Sequence, residues 1–120
     1  MRNKLAIANW KMNKSRAEAK EFCEQLRQAA PELTGVETVV CPPFTSLYLV
    51  AEQLENTGVH WGGQNCFWEE QGAYTGEVSP LMLRDLRCRY VILGHSERRQ
   101  ILGETDAMIN RKLAAAIGAG

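Results

Sequence analysis

Apolar residues along the chain follow two kinds of spacing in turn. Short apolar runs at Lys4–Ala8, Thr38–Cys41, Val59–Gly62 and Tyr90–Leu93 have the length and composition of buried strands. After the first, second and fourth runs, apolar residues recur at intervals of three and four, which is the spacing of one helix face. After the third run, Ser79-Pro80 indicates a short helix that continues through Leu86. The pattern therefore predicts a strand followed by a helix, four times over.

Capping residues indicate where three of these helices begin. Ser15 and Glu18 have the spacing of a capping box, and Ser79-Pro80 and Thr105 have the form of N-caps. We expect the first helix to end near Pro31. The predicted helix faces are Ala19, Phe22, Cys23, Leu26 and Ala30 in the first helix, Leu47, Val50, Ala51 and Leu54 in the second, and Ile109, Leu113, Ala116 and Ile117 in the last.

Strands that are apolar along most of their length, each followed by a helix, indicate a parallel sheet covered by helices. The period of roughly 25–35 residues is that of a βαβ unit. It leaves open a small doubly wound sheet or half of an eight-stranded barrel. The length of 120 residues suits one α/β domain, residues 1–120.

Charge and cysteine content exclude several classes of function. Fourteen basic residues balance fourteen acidic ones, so no long-range field attracts nucleic acid or an anionic membrane. The first apolar run is too short for a signal peptide or a membrane span. The four cysteines are scattered without a CxxC pair, which is typical of reduced structural thiols in a cytoplasmic protein. Because metal-ligand spacings and nucleotide-binding glycine motifs are absent from the sequence, we expect neither a metal nor a cofactor.

Polar residues follow the first and fourth predicted strands. Strand alternation points Asn9 and Lys11 to the interior face at the carboxyl end of the first strand, and His95 to the same face after the fourth. Ligands bind at this end of the strands in α/β folds. If Ser96 caps a short helical turn, the positive end of that helix favours the neutral imidazole. Taken singly, such a lysine or histidine is more often a surface or structural residue.

A long glycine-punctuated loop, Gln64–Val78, separates the third strand from the next helix. A loop of this length within a compact domain is often functional or interfacial. A mobile surface loop is an equally good interpretation of this segment alone.

Four motifs together resemble the triosephosphate isomerase family, in the same order and spacing. They are Asn9-Trp10-Lys11-Met12-Asn13, Gly63-Gln64-Asn65, Gly72-Ala73-Tyr74-Thr75-Gly76-Glu77 and Val91-Ile92-Leu93-Gly94-His95-Ser96-Glu97-Arg98-Arg99. The resemblance covers the chain from the first strand to the fourth helix. It implies half of a TIM (β/α)8 barrel, made of four parallel βα units.

The resemblance implies a role for each matched polar residue. The family interconverts dihydroxyacetone phosphate and glyceraldehyde 3-phosphate by abstracting a proton next to a carbonyl. Lys11 would stabilise the charge of the phosphate and of the enediolate oxygen. His95 would polarise the carbonyl as a neutral imidazole, a role for which this family is a standard example. Asn9 would help to orient the substrate and hold Lys11, and Glu97 would anchor Lys11 by a charge-assisted hydrogen bond.

The resemblance also implies contacts with a second copy of the chain. Thr75 would reach from its loop into the site of the neighbouring subunit. Gln64, Glu77 and Arg98 would line the interface of the dimer.

Four strands are half of a barrel of this kind. By resemblance, the catalytic base is a glutamate at the end of the sixth strand, beyond the four predicted here. General-base catalysis typically contributes about 10²–10⁴-fold to a rate. We therefore expect no useful isomerase activity from this chain alone, although a completed site would bind a small phosphorylated triose.

Two other interpretations stay open at this point. One is a self-associating half-barrel module without activity, and the other is a short relative that binds a different phosphosugar through Lys11 and His95. An isolated half-barrel exposes two strand edges and the interior face of its sheet. We therefore expect the chain to self-associate, for instance with the fourth strand of one copy against the first strand of another.

Overall fold

Four parallel strands lie side by side in chain order in the computed structural model, which describes residues 2–120. The strands are β1 (Lys4–Asn9), β2 (Val36–Cys41), β3 (His60–Gly63) and β4 (Tyr90–Val91). Their order and direction confirm the predicted fold class, four parallel βα units in the arrangement of half a TIM (β/α)8 barrel. Met1, the first residue of the predicted domain, lies outside the described residues.

Helices follow every strand. They are α1 (Arg16–Ala29), α2 (Phe44–Leu54), α3 (Pro80–Asp85), α4 (Ser96–Gln100) and α5 (Asp106–Ala119), with a 3-10 turn at Ala30–Glu32 after α1. The predicted capping box is present, because the hydroxyl of Ser15 accepts the N–H of Glu18 and the Glu18 carboxylate accepts the N–H of Ser15. Ser79 and Thr105 cap α3 and α5, as predicted.

The fourth strand is shorter than the sequence pattern predicts. It ends at Val91 rather than Leu93, although the N–H of Ile92 still donates to the carbonyl of Gly63 at 2.8 Å. Gly94 then takes a φ of 64°, a conformation that glycine adopts without steric cost. The alternation of strand side chains therefore stops before the chain reaches the candidate site.

The hydrophobic core lies between the sheet and the helices. Val40 of β2 and Trp61 of β3 pack there with Ala19 of α1 and with Leu47 and Val50 of α2. Burying one aliphatic side chain of this size contributes about 1.5–3 kcal/mol. The core therefore fixes how α1 and α2 sit on the sheet.

The opposite face of the sheet is open along its first strand. Leu5 and Ile7 are 47% and 49% exposed. Val39, the register partner of Ile7 in β2, is fully buried. The exposure predicted for the interior face is therefore present on β1, whereas the prediction is wrong for Val39 of β2.

The last helix packs through a different face from the one predicted. Leu113 and Ile117 are 47% and 72% exposed, whereas Lys112 is 2% exposed. Lys112 lies three residues after Ile109 and four before Ala116, so it occupies the middle of the inward stripe. The prediction that Leu113 and Ile117 face inward is wrong, because apolar spacing cannot show that a lysine finds partners inside the fold.

Glu104 provides the charge that allows Lys112 to be buried. One oxygen of Glu104, Oε2, accepts from Lys112 Nζ and from Arg98 Nε, both at 2.8 Å. Lys112 Nζ also donates to the side-chain oxygen of Asn65 at 3.1 Å. These contacts join the loop after β3 to α4 and α5.

Burial alone raises the pKa of Glu104, but hydrogen bonds from Lys112 and Arg98 outweigh it and hold the pKa below its ordinary value of 4.5. A carboxyl whose folded pKa is lowered stabilises the native state above its unfolded pKa. The contribution of Glu104 is therefore present at neutral pH and is lost as the pH falls from 4.5 through the lower folded value.

Replacing Lys112 by methionine tests the buried network. We expect Lys112→Met to lower the free energy of unfolding at neutral pH by about 3 kcal/mol, because it leaves a buried carboxylate short of one partner. Urea denaturation followed by circular dichroism measures this loss. The control is Lys20→Met at an exposed position of α1, which should change the free energy by no more than about 0.5 kcal/mol. Equal losses in the two variants would contradict the assignment.

Candidate active site

A cleft of about 330 Å³ opens at the carboxyl ends of the strands. Its walls include Asn9 at the end of β1, Lys11 just after that strand, Gln64 after β3, and His95 and Glu97 after β4. The parallel sheet directs these loops to one rim, which is where α/β folds bind ligands. The volume lies in the range of small-molecule sites, about 300–1,000 Å³.

Lys11 leaves the first strand in an uncommon backbone conformation. Its φ is 56°, in the left-handed region that residues with a side chain rarely adopt. The N–H of Lys11 donates to the side-chain oxygen of Asn9 at 3.0 Å. The strand alternation that predicted the direction of Lys11 therefore ends at Asn9, and a turn held by Asn9 brings the lysine to the cleft.

The ammonium of Lys11 lies 2.5 Å from Oε1 of Glu97. The hydrogen bond from Lys11 is the largest cause that lowers the pKa of Glu97, and the positive charge of Lys11 adds to this lowering. About half of each side chain of the pair is exposed, and exposed ion pairs add little to stability. The consequence of this pair is therefore geometric, since it sets where the ammonium lies in the cleft.

His95 caps α4 in place of the predicted Ser96. Its ring nitrogen Nδ1 accepts the N–H of Glu97 at 3.2 Å, and Ser96 is the first residue of the helix. The prediction of Ser96 as N-cap is wrong, because the imidazole nitrogen takes the acceptor position that a hydroxyl usually fills. A nitrogen that accepts cannot carry a proton, so this geometry favours the neutral ring with its hydrogen on Nε2.

Thr75 lies in a turn of the long loop and is not among the residues that line the cleft. The N–H of Glu77 donates to the carbonyl of Tyr74 at 3.0 Å, which closes a turn around Thr75. Gly76 supplies the φ of 93° that this turn needs. Thr75 and Glu77 are both exposed, and their contact with a second copy stays a prediction.

Gln64 and Arg98, also predicted for the interface, make contacts within the chain. Gln64 Nε2 donates to the backbone carbonyls of Lys11 and Cys41, each at 2.9 Å. Arg98 donates to Glu104 in the buried network. Their place in an interface stays a prediction, whereas their role inside the fold is a property of the structure.

Sequence reasoning missed the residues that support the cleft from below, Asn65, Glu104 and Lys112. Asn65 lines the cleft and accepts from Lys112. The available signal was a charge in the middle of the apolar stripe of the last helix. Such a residue is either a break in the pattern or half of a buried pair, and spacing alone does not distinguish the two.

Burial suppresses the reactivity of the cysteines. It raises the pKa of Cys23 and Cys41 to about 11, and that of Cys88 to about 12. These residues therefore stay protonated at neutral pH, and a protonated thiol is a poor nucleophile. The cysteines for which the structure gives a state, Cys66 included, are free thiols.

Residues 2–120 contain no cluster of three His, Cys, Asp or Glu side chains that could hold a metal ion. In the same part of the chain, no helix is long and apolar enough to cross a membrane.

Comparison with known proteins agrees with this geometry. The family model described as triosephosphate isomerase matches residues 4–120. The triosephosphate isomerase of Dictyoglomus turgidum is 53% identical over 116 residues, which are 97% of this chain and 47% of the relative. The enzyme of the same name from Dictyoglomus thermophilum is 50% identical over 120 residues, all of this chain and 48% of the relative. One from Dehalococcoides mccartyi is 48% identical, again over the whole chain and 47% of the relative.

The chain spans about half the length of the curated relatives it matches. Its four parallel βα units, its cleft at the strand ends and its similarity over residues 4–120 agree with one another. On this evidence the chain belongs to the triosephosphate isomerase family.

Proposed function

We propose that this chain supplies the charge-stabilising part of a triosephosphate isomerase site. The observation that carries the proposal is the meeting of Lys11, His95 and Glu97 in one cleft at the strand ends. The proposed substrates are dihydroxyacetone phosphate and glyceraldehyde 3-phosphate. A small anionic substrate of this kind suits a cleft with an ammonium on its wall.

In this proposal the protein residues act on charge that develops as the reaction proceeds. Removing a proton next to the substrate carbonyl leaves an enediolate, and the Lys11 ammonium stabilises its negative oxygen. His95 donates from Nε2 to that oxygen, because its Nδ1 is already engaged by the N–H of Glu97. Asn9 holds the backbone of Lys11, so the ammonium needs little reorganisation during the step.

Glu97 is poorly suited to abstract the proton. An efficient general base has a pKa near the working pH, whereas the hydrogen bond from Lys11 lowers the pKa of Glu97 below its ordinary value. By the family resemblance, the base is a second carboxylate, in the part of the relatives that this chain does not span. We therefore propose that the 120 residues have no useful isomerase activity by themselves.

Complementation tests this function. The chain is mixed with a polypeptide that carries strands five to eight of the Dictyoglomus turgidum relative, and isomerisation of glyceraldehyde 3-phosphate is followed by a coupled assay. We expect activity in the mixture and none in either part alone. Lys11→Met should reduce the activity of the mixture by about 10²–10³-fold, because it removes the stabilising charge.

Lys20→Met is the matched control, since it removes a lysine from an exposed position outside the cleft. Equal activity in the Lys11→Met and Lys20→Met mixtures would contradict the role of Lys11. If the chain alone were as active as the mixture, the proposal that the catalytic base lies outside this chain would be wrong.

Self-association is a second candidate function, and the open face of the sheet favours it. Leu5 and Ile7 leave apolar surface on β1, and Leu113 and Ile117 do so on α5. Among residues 2–120, β1 pairs only with β2, so its other edge presents unpaired backbone groups. We propose that, without another partner, a second copy covers these surfaces, with β4 of one copy beside β1 of the other.

Sedimentation equilibrium at micromolar concentration tests this assembly. We expect the chain to be at least dimeric, and Ile7→Asp to shift it toward monomer, because a carboxylate on the covered face would be desolvated. The control is Leu33→Asp, which places the same charge on an exposed leucine outside the sheet. Circular dichroism checks that both variants keep their helices. A strictly monomeric parent chain would contradict the proposal.

A further inference from the structure

The side-chain amide of Gln64 connects the carboxyl ends of the first three strands. Gln64 follows β3, and its Nε2 donates to the carbonyl of Lys11 after β1 and to that of Cys41 at the end of β2, each at 2.9 Å. The Cys41 carbonyl also accepts the N–H of Trp10 at 3.1 Å, so it is a fixed anchor. Both hydrogens of the amide are thereby engaged by backbone carbonyls.

The backbone of Lys11 needs such a restraint. A φ of 56° is sparsely populated for a residue with a side chain, and it persists only where the surroundings impose it. Asn9 holds the N–H of Lys11 and Gln64 holds its carbonyl, so the residue is clamped on both sides. Releasing the carbonyl would let the residue relax to negative φ, which swings its side chain away from Glu97.

We propose that Gln64 is a positioning residue for Lys11, holding the turn that keeps the ammonium beside Glu97 in the cleft. The catalytic role of Gln64 rests on the proposed function of Lys11. The hydrogen bonds that hold the backbone of Lys11 are present in this chain whatever its function. The assignment goes beyond the interface role that the family resemblance implies for Gln64, because every bond that carries it lies within one copy.

The residue type fits this task. Only a side chain with two donor hydrogens on one nitrogen, and with the reach of glutamine, can serve both carbonyls. A glutamate would place acceptor oxygens against two carbonyl oxygens. An asparagine keeps the donors but is one methylene shorter, so it would reach at most one of the two.

The test is Gln64→Met in the 120-residue chain, since methionine has a similar length and no donors. NMR titration of the labelled Glu97 carboxyl reports the contact with Lys11, whose hydrogen bond lowers the pKa of Glu97. We expect Gln64→Met to raise that pKa most of the way to the value found in Lys11→Met. Gln71→Met, at an exposed loop position, is the matched control and should leave the pKa unchanged.

Gln64→Asn serves as the second variant, with a smaller rise expected because one of the two hydrogen bonds is retained. A Glu97 pKa in Gln64→Met equal to that of the parent chain would overturn the proposal, and so would loss of stability without movement of this pKa. The titration uses no substrate and no second polypeptide. It therefore decides the role of Gln64 even if complementation shows that the proposed isomerase function is wrong.

Discussion

The parallel direction of the four strands is the constraint on which the rest of the structure depends. Strands that run the same way end on one rim, so the loops that follow them can meet there. Lys11 follows β1 and Glu97 follows β4, with two strands between them, yet Nζ and Oε1 are 2.5 Å apart. This contact requires the sheet to curl, so the half-barrel shape and the candidate site have one physical origin.

Two ion pairs of similar chemistry have different consequences because their burial differs. Glu104 and Lys112 are almost fully buried, so losing one partner leaves an uncompensated charge inside the fold. Lys11 and Glu97 are half exposed, so their pairing adds little stability and mainly sets position. Arg98 links the two ion pairs, because it lies in α4 next to Glu97 and donates to Glu104. The buried pair thus supports the short helix whose first turn carries the candidate site.

Local signals were enough to predict the strand–helix order and three of the caps. The directions of Lys11 and His95 were predicted from strand alternation, yet positive φ at Lys11 and Gly94 interrupts that alternation in both places. Both residues still line the cleft, because hydrogen bonds rather than strand alternation set their positions. The burial of Lys112 could not be predicted, since apolar spacing does not show that Glu104 turns inward or that Asn65, which is distant in sequence, meets the ammonium. The hydrogen bond from Gln64 to the carbonyl of Lys11 could not be predicted either, because the two residues are far apart in sequence.

We propose that the four βα units hold the charge-stabilising part of the site without help from another polypeptide. The most direct measurement is the ¹⁵N spectrum of the His95 imidazole in the 120-residue chain at neutral pH. We predict that the neutral imidazole carries its proton on Nε2, because Nδ1 accepts the N–H of Glu97 at the start of α4. A ring protonated on Nδ1, or one that averages between the two tautomers, would contradict it.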